Sequence, residues 1–206
     1  MAVRLMLSLL VAAMIGAAAP AVAADAYATM VARLKSGDAK ADYRALRDAY
    51  AASPSYQPYG GDYDEARTAM RQAFNIHDCT SVLSNAAKVL DAIYIDIASH
   101  LLSASCLDVS NAKAEADFHR GVARGLMNAI LASGDGKTAK TAYAVVTISE
   151  EYDVLHTLEL DLGQQALASE GGHVYDRMET KTVSGEARTV FFQIDRPMAW
   201  MSKSLH

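Results

Sequence analysis

Cys79 and Cys106, the only two cysteines of the chain, flank an apolar pattern with helical spacing that neither Gly nor Pro interrupts. If residues 80–102 form one helix, the two cysteines lie about 40 Å apart, at a rise of about 1.5 Å per residue, and no disulfide can join them. If the helix breaks near residues 92–95, two antiparallel helices bring the cysteines together at their open end. The apolar positions are Val82, Leu83, Ala86, Val89, Leu90, Ile93, Ile97 and Leu101.

Local signals favour the broken helix. The run Ile93-Tyr94-Ile95 is β-branched and aromatic, which weakens helix propensity, and Asp96 is a residue type that caps a new helix. We therefore predict a disulfide between the two cysteines and two helices between residues 80 and 105. The alternative is one long helix with two buried thiols.

The amino-terminal segment has the pattern of a signal peptide. Arg4 supplies a positive charge, residues 5–18 form an apolar run too short to span a bilayer comfortably, and small residues at 21–24 precede Asp25. We predict that residues 1–24 are a signal peptide and that the mature protein is periplasmic or secreted. An even pair of cysteines in such a compartment is a candidate disulfide.

Charge and composition exclude two classes of function. The formal net charge is −5, and no cluster of Lys or Arg forms the basic face that nucleic-acid binding requires. After the signal, no apolar stretch reaches the length of a membrane span. We therefore expect partners among proteins, peptides or small ligands.

The order of the local patterns predicts an α+β fold in one domain, residues 25–206. Residues 25–140 are mainly helical and residues 141–196 mainly form an antiparallel sheet. The tandem helix pairs weakly resemble a tetratricopeptide repeat, although the Trp, Gly and Pro marks of that repeat are missing. We predict helices at 26–36, from Asp42, from Asp62 or Asp64, at 112–132 and at 150–156, and strands at 143–148, 164–168, 174–183 and 188–194, the last ended by Pro197.

Several short phrases occur in a fixed order along the mature chain. They are residues 42–50, 55–59, His119 with 125–130, 133–136, 141–143, 150–152, Gln165, 175–176 and 191–192. Together they resemble a family of exported bacterial proteins known as domain of unknown function 4919. The resemblance covers nearly all of the mature chain and implies an envelope or secreted protein of one domain. It implies no activity, because the family has none assigned.

Four residues are candidates for catalysis. His119 is a possible base, and Tyr152 a possible proton donor, if they lie near Glu150 and Glu151. Neighbouring residues of a helix point apart, so the two glutamates do not form a preorganised carboxylate pair. A structural role, with Arg120, Arg124 or backbone amides as partners, is the favoured interpretation.

Two pairs at helical spacing invite a metal-site hypothesis. Asp96 with His100, and Glu115 with His119, are each four residues apart, and facing helices could present them together. No compact metal motif accompanies them, and such pairs are usually helix-surface or capping pairs. We therefore expect neither a metal nor a cofactor.

Candidate binding residues are Tyr56 and Tyr59 in a Pro- and Gly-containing loop, together with Tyr43 and His100. Tyrosine presents a large contact area at low entropic cost, so this loop and the adjoining helical groove could recognise a partner. The alternative is that both loop rings fold back over the helices. These patterns favour a non-catalytic binding or protein-interaction module of the cell envelope, with a hydrolase-like or metal-using enzyme at His119, Glu150 and Glu151 as the alternative.

Overall fold

Helices form the first part of the chain and a four-stranded sheet the second in the computed structural model, which describes residues 19–37 and 41–205. Residues 1–18, most of the predicted signal peptide, lie outside the described residues. The predicted α+β class is confirmed. Within the described ranges, no helix is both long and apolar enough to cross a membrane.

The helices follow one another with short connections. They are α1 (Ala19–Lys35), α2 (Tyr43–Ala52), α3 (Asp64–Asn75), α4 (Cys79–Ala92), α5 (Ile97–Val109), α6 (Lys113–Leu131), α7 (Ile148–Thr157) and α8 (Asp195–Ser204), with a 3-10 turn at Ala139–Thr141. The strands are β1 (Tyr143–Ala144), β2 (Leu160–Glu170), β3 (His173–Thr182) and β4 (Ala187–Gln193).

The break between α4 and α5 confirms the two-helix prediction. The Asp96 side chain accepts a hydrogen bond from the Ser99 amide at 2.8 Å and so caps α5. α4 and α5 are joined by a disulfide between Cys79 and Cys106, with a Cα–Cα distance of 5.2 Å. The same capping chemistry begins α2, where Asp42 accepts from the Ala45 amide at 2.9 Å.

Three local predictions need correction. The start of α3 is not capped by Asp62 or Asp64, because Tyr63 occupies the N-cap and Asp64 lies inside the first turn. The strand predicted at 143–148 is only two residues long, because Ile148 already begins α7. Pro197 does not end the last strand, because β4 already ends at Gln193. Pro197 lies in the first turn of α8, where its missing N–H is not needed.

The sheet has the order β1-β4-β3-β2 and is not wholly antiparallel. β2, β3 and β4 form an antiparallel meander, whereas β1 pairs with β4 in parallel, Tyr143 opposite Phe192. In the chain, β1 follows α6 and is far from β4. No hairpin therefore joins the two strands, and they run in the same direction. β2 is the opposite edge of the sheet.

The hydrophobic core extends from the helices into the sheet. One cluster joins α1, α2, α4, α6 and α7 to buried Met178, Val190 and Phe192 of the sheet. A second, smaller cluster surrounds Cys106 and contains Met70 and Val82. α7 is thereby held between the helical array and the sheet, which places its first turn at the junction of the two.

Candidate functional site

Glu150 in the first turn of α7 forms a buried ion pair with Arg47 of α2. Arg47 Nε donates to Glu150 Oε1 at 2.7 Å and its Nη2 donates to Oε2 at 2.8 Å. The same carboxylate accepts the Val146 amide at 2.7 Å, and Arg47 also donates to the Ala144 carbonyl at 2.8 Å. This network fixes α7 to α2 and engages both carboxylate oxygens of Glu150, which gives this residue a structural role. The arginine partner is Arg47 and not Arg120 or Arg124, whereas the predicted alternative of a backbone amide is met by Val146.

Glu151 points away from that network and is fully buried. No N–H or O–H group of the described residues is in hydrogen-bonding position to either of its carboxylate oxygens. Its neighbour is a second buried carboxyl, Asp176 of β3. Two buried carboxylates repel each other, so the arrangement is stable when Glu151 is protonated and donates a hydrogen bond to Asp176.

The electrostatics of this carboxyl pair follow from burial. Desolvation, followed by the charge of Asp176, raises the pKa of Glu151 to about 9. Desolvation also raises the pKa of Asp176, although hydrogen bonds from Gln165 and Glu151 oppose the rise. Burial raises the pKa of Tyr59, and the charges of Asp176 and Glu151 raise it further, because Tyr59 lies near this pair. The Glu151–Asp176 pair therefore holds a proton at neutral pH.

This shared proton predicts a pH dependence of stability. The carboxyl of Glu151 ionises near pH 4.5 in the unfolded chain and near 9 in the folded one. The contribution of Glu151 to the free energy of unfolding is full below pH 4.5 and is lost as the pH rises towards 9. We expect Glu151→Gln to flatten the fall in unfolding free energy over this interval, by up to about 1.4 kcal/mol per pH unit, in chemical denaturation measured at several pH values.

The matched control is Glu115→Gln, because Glu115 is an exposed glutamate. Its profile should follow that of the wild type. Burial also raises the pKa of Asp153 to about 8, so this residue adds to the fall of the wild-type unfolding free energy with pH. The contribution of Glu151 is therefore the difference between the profiles of the wild type and Glu151→Gln. Parallel profiles for wild type and Glu151→Gln would show that Glu151 is ionised in the folded protein.

His119 pairs with His100 and not with the two glutamates. The Nδ1 atoms of the two rings are 2.9 Å apart, and His100 Nε2 lies 2.9 Å from the Tyr94 carbonyl. Since that carbonyl can only accept, His100 carries its proton on Nε2 and donates it to Tyr94. The unprotonated Nδ1 of His100 then accepts the hydrogen bond from His119 Nδ1–H. Burial lowers the pKa of His100 to about 4 and also lowers the pKa of His119. Both rings are therefore neutral at pH 7.

The candidate catalytic set does not assemble. His119 is bound to a histidine, Glu150 to Arg47, and the side chain of Tyr152 is exposed. Of the hypothetical metal set, only His100 and His119 meet each other. Asp96 forms an ion pair with Arg67 at 2.5 Å, and Glu115 is exposed. Within residues 19–37 and 41–205, no group of three or more His, Cys, Asp or Glu is arranged to hold a metal ion.

A pocket of about 630 Å³ lies between α1, the loop before α3 and the α4–α5 junction. Three of its lining residues, Tyr63, Leu90 and Tyr94, are buried, and α1 contributes Tyr27 and Val31. The remaining lining residues are Ala28, Ala32, Lys35, Ser53, Pro54, Ser55, Gln57, Asp62, Asp91 and Ala92. Nine of the fifteen lining residues are apolar or aromatic, three of them tyrosines, and a mainly apolar lining with some polar groups is typical of a site for a small ligand.

We call this cavity the aromatic pocket. Two of its polar side chains, Tyr27 and Lys35, have partners within the protein. The Tyr94 amide donates to the Tyr27 hydroxyl at 2.9 Å, which ties α1 to the α4–α5 junction. Lys35 lies 3.7 Å from Asp91 and 5.2 Å from the centre of the Tyr94 ring. A ligand in this pocket would therefore meet aromatic faces, one ammonium group and two carboxylates, those of Asp62 and Asp91.

The four predicted binding residues are spread over different surroundings. Tyr56 is buried and donates to the Val146 carbonyl at 2.6 Å, and His100 is buried in its histidine pair. Tyr43 packs on Gly125, where an added Cβ would lie 2.2 Å from its ring. Tyr59 is 41% exposed and lies beside Trp200, with ring centres 6.1 Å apart. None of the four lines the aromatic pocket, although Ser55 and Gln57 of the same loop do.

Sequence reasoning missed the aromatic residues that do line it. In the sequence, Tyr27 belongs only to the predicted helix at 26–36, and Tyr94 only to the run that predicts the α4–α5 break. Their common location depends on the packing of three separate segments, for which the sequence carries no local signal.

Comparisons with known proteins place the whole arrangement in one family. A family model described as Domain of unknown function (DUF4919) matches residues 21–203. No curated protein and no solved structure matches the chain.

Proposed function

The chain belongs to the family of domain of unknown function 4919, and from this premise we propose that it is an exported, non-catalytic protein of the cell envelope that binds a small, largely apolar ligand. The observation that carries the proposal is the aromatic pocket between α1, the loop before α3 and the α4–α5 junction. Its volume lies within the range of about 300–1,000 Å³ that small-molecule sites occupy.

The chemistry of the lining supports one class of ligand. Tyr27, Tyr63 and Tyr94 offer flat apolar faces, which favours an aromatic or aliphatic body. Lys35 lies at the pocket beside Asp91 and can orient one polar or charged group of the ligand. We propose a ligand with an apolar body and a single polar end.

The proposed location rests on two features of the sequence and structure. Residues 1–24 have the charged start, apolar run and small-residue end of a signal peptide. The Cys79–Cys106 disulfide is of a kind that persists in an oxidising compartment. Both features support export to the periplasm or beyond.

Filling the pocket tests the proposal. Ala32 is an exposed residue of α1 that lines the pocket, and a tryptophan there would occupy the space above the tyrosines. We expect a library of small aromatic and aliphatic fragments to yield binders of the wild type in ligand-observed NMR. Ala32→Trp should weaken those binders at least tenfold.

Thr29→Trp is the matched control, because Thr29 is exposed on the same helix and does not line the pocket. It should bind the same fragments as the wild type. Fragments that bind all three proteins equally, or an absence of binders to the wild type, would contradict a ligand-binding function for this pocket.

The alternative of a hydrolase-like or metal-using enzyme receives less support. Its predicted residues lie apart, and the remaining acid–base candidate, the Glu151–Asp176 pair, is covered by protein. The exposed fractions of these two residues are 0% and 4%, so a substrate could not reach either carboxyl without displacement of the covering side chains.

A further inference from the structure

β2 is an edge strand with unusual exposure. It is 11 residues long and pairs only with β3 among the described residues, so its outer edge presents unpaired N–H and C=O groups. Leu160 is its only buried residue, which means that both faces of the strand are open to solvent along most of its length. Leu167 is 66% exposed.

The strand lacks most of the features that protect free edges. Charged side chains, proline and bulges usually prevent an edge from pairing with another chain. Residues 162–169 contain no charged residue and no proline. The single irregularity of the ladder lies between Leu162 and Gln164, near the beginning of the strand, and leaves 164–170 regular.

We propose that β2 pairs with β2 of a second copy of this chain, in an antiparallel ladder centred on Leu167, so that two four-stranded sheets become one. Opposite residues of an antiparallel ladder share a face of the sheet. The largest exposed apolar side chain of the regular segment thus packs against its own symmetry mate, and the interface is isologous.

The charges of the strand favour this occupant and this register. With Leu167 on the two-fold axis, Ala166 lies opposite Ala168, Gln165 opposite Ser169 and Gln164 opposite Glu170. No two charges oppose each other. A parallel, in-register pair would instead place Glu170 against Glu170 and Asp161 against Asp161, which is destabilising.

Cysteine substitution tests the register directly. In this ladder the two residues at position 167 have Cα atoms about 4.5–5.5 Å apart, within the range for a disulfide. Leu167→Cys should therefore form a covalent dimer under mild oxidation, seen on a non-reducing gel. Leu162→Cys is the matched control, since the two copies of residue 162 would be about 33 Å apart at about 3.3 Å per residue. It should stay uncrosslinked.

Light scattering after size-exclusion chromatography gives an independent readout. The wild-type protein should have twice the mass of one chain, and Leu167→Lys, which sets two ammonium groups against each other, should have the mass of one. Leu162→Lys should remain dimeric. A monomeric wild type at the highest soluble concentration would overturn the proposal, and the partner of the β2 edge would then be a different protein. Dimers that survive Leu167→Lys would overturn it as well.

Discussion

Arg47→Met will lower the free energy of unfolding by about 3–5 kcal/mol, because it leaves the buried carboxylate of Glu150 without its counter-ion. The side chains of Arg47 and Glu150 are 5% and 2% exposed, and two charge-assisted hydrogen bonds join them. Methionine keeps most of the apolar stem and removes the guanidinium. Urea denaturation at neutral pH measures the change.

A second Arg–carboxylate pair provides the control. Arg196 and Asp48 have the same N–O distance, 2.7 Å, but their side chains are 47% and 46% exposed. Arg196→Met should therefore change the unfolding free energy by less than about 1 kcal/mol. The double variant Arg47→Met/Glu150→Leu should recover part of the loss, since it leaves no unpaired charge. Equal effects of Arg47→Met and Arg196→Met would contradict the anchoring role of the buried pair.

Removing the Cys79–Cys106 disulfide is the second large effect. The bond closes a loop between residues separated by 27 positions, so the chain-entropy model gives a loss of about 3.5 kcal/mol on its removal. Replacing both cysteines by alanine avoids leaving a lone thiol. Urea denaturation of the oxidised wild type and of the double variant measures the difference.

Reductant supplies the control for this prediction. It should destabilise the wild type to nearly the level of the double alanine variant and leave the variant itself unchanged. Mass spectrometry after alkylation without reductant should find no labelled cysteine in the wild type. Two labelled thiols, or equal stability of wild type and variant, would show that the bond does not form in the protein.

Sequence reasoning succeeded where local signals and one covalent constraint agreed. The β-branched run Ile93-Tyr94-Ile95 and the capping Asp96 marked the end of one helix and the start of the next, and the cysteine pair required that break. Similarly, the expectation that Glu150 and Glu151 point apart is confirmed, because adjacent residues of a helix face different directions.

It failed where distant segments determine the outcome. Arg47 and Glu150 are separated by 103 residues, and only the packing of α2 against α7 brings them together. Asp176 is a polar residue within a predicted strand, and nothing local shows that its carboxyl meets Glu151. The parallel pairing of β1 with β4 likewise depends on where α6 ends relative to the sheet.

Mapping of ligand contacts by amide chemical shifts tests the proposed function most directly. A ¹⁵N-labelled protein titrated with the tightest fragment should show its largest shift changes at the lining residues of the aromatic pocket, Val31, Tyr63 and Tyr94 among them. The amides around Glu151 and Asp176 should stay unchanged. Changes centred on that carboxyl pair, with the pocket amides unaffected, would contradict the account and favour the enzyme alternative.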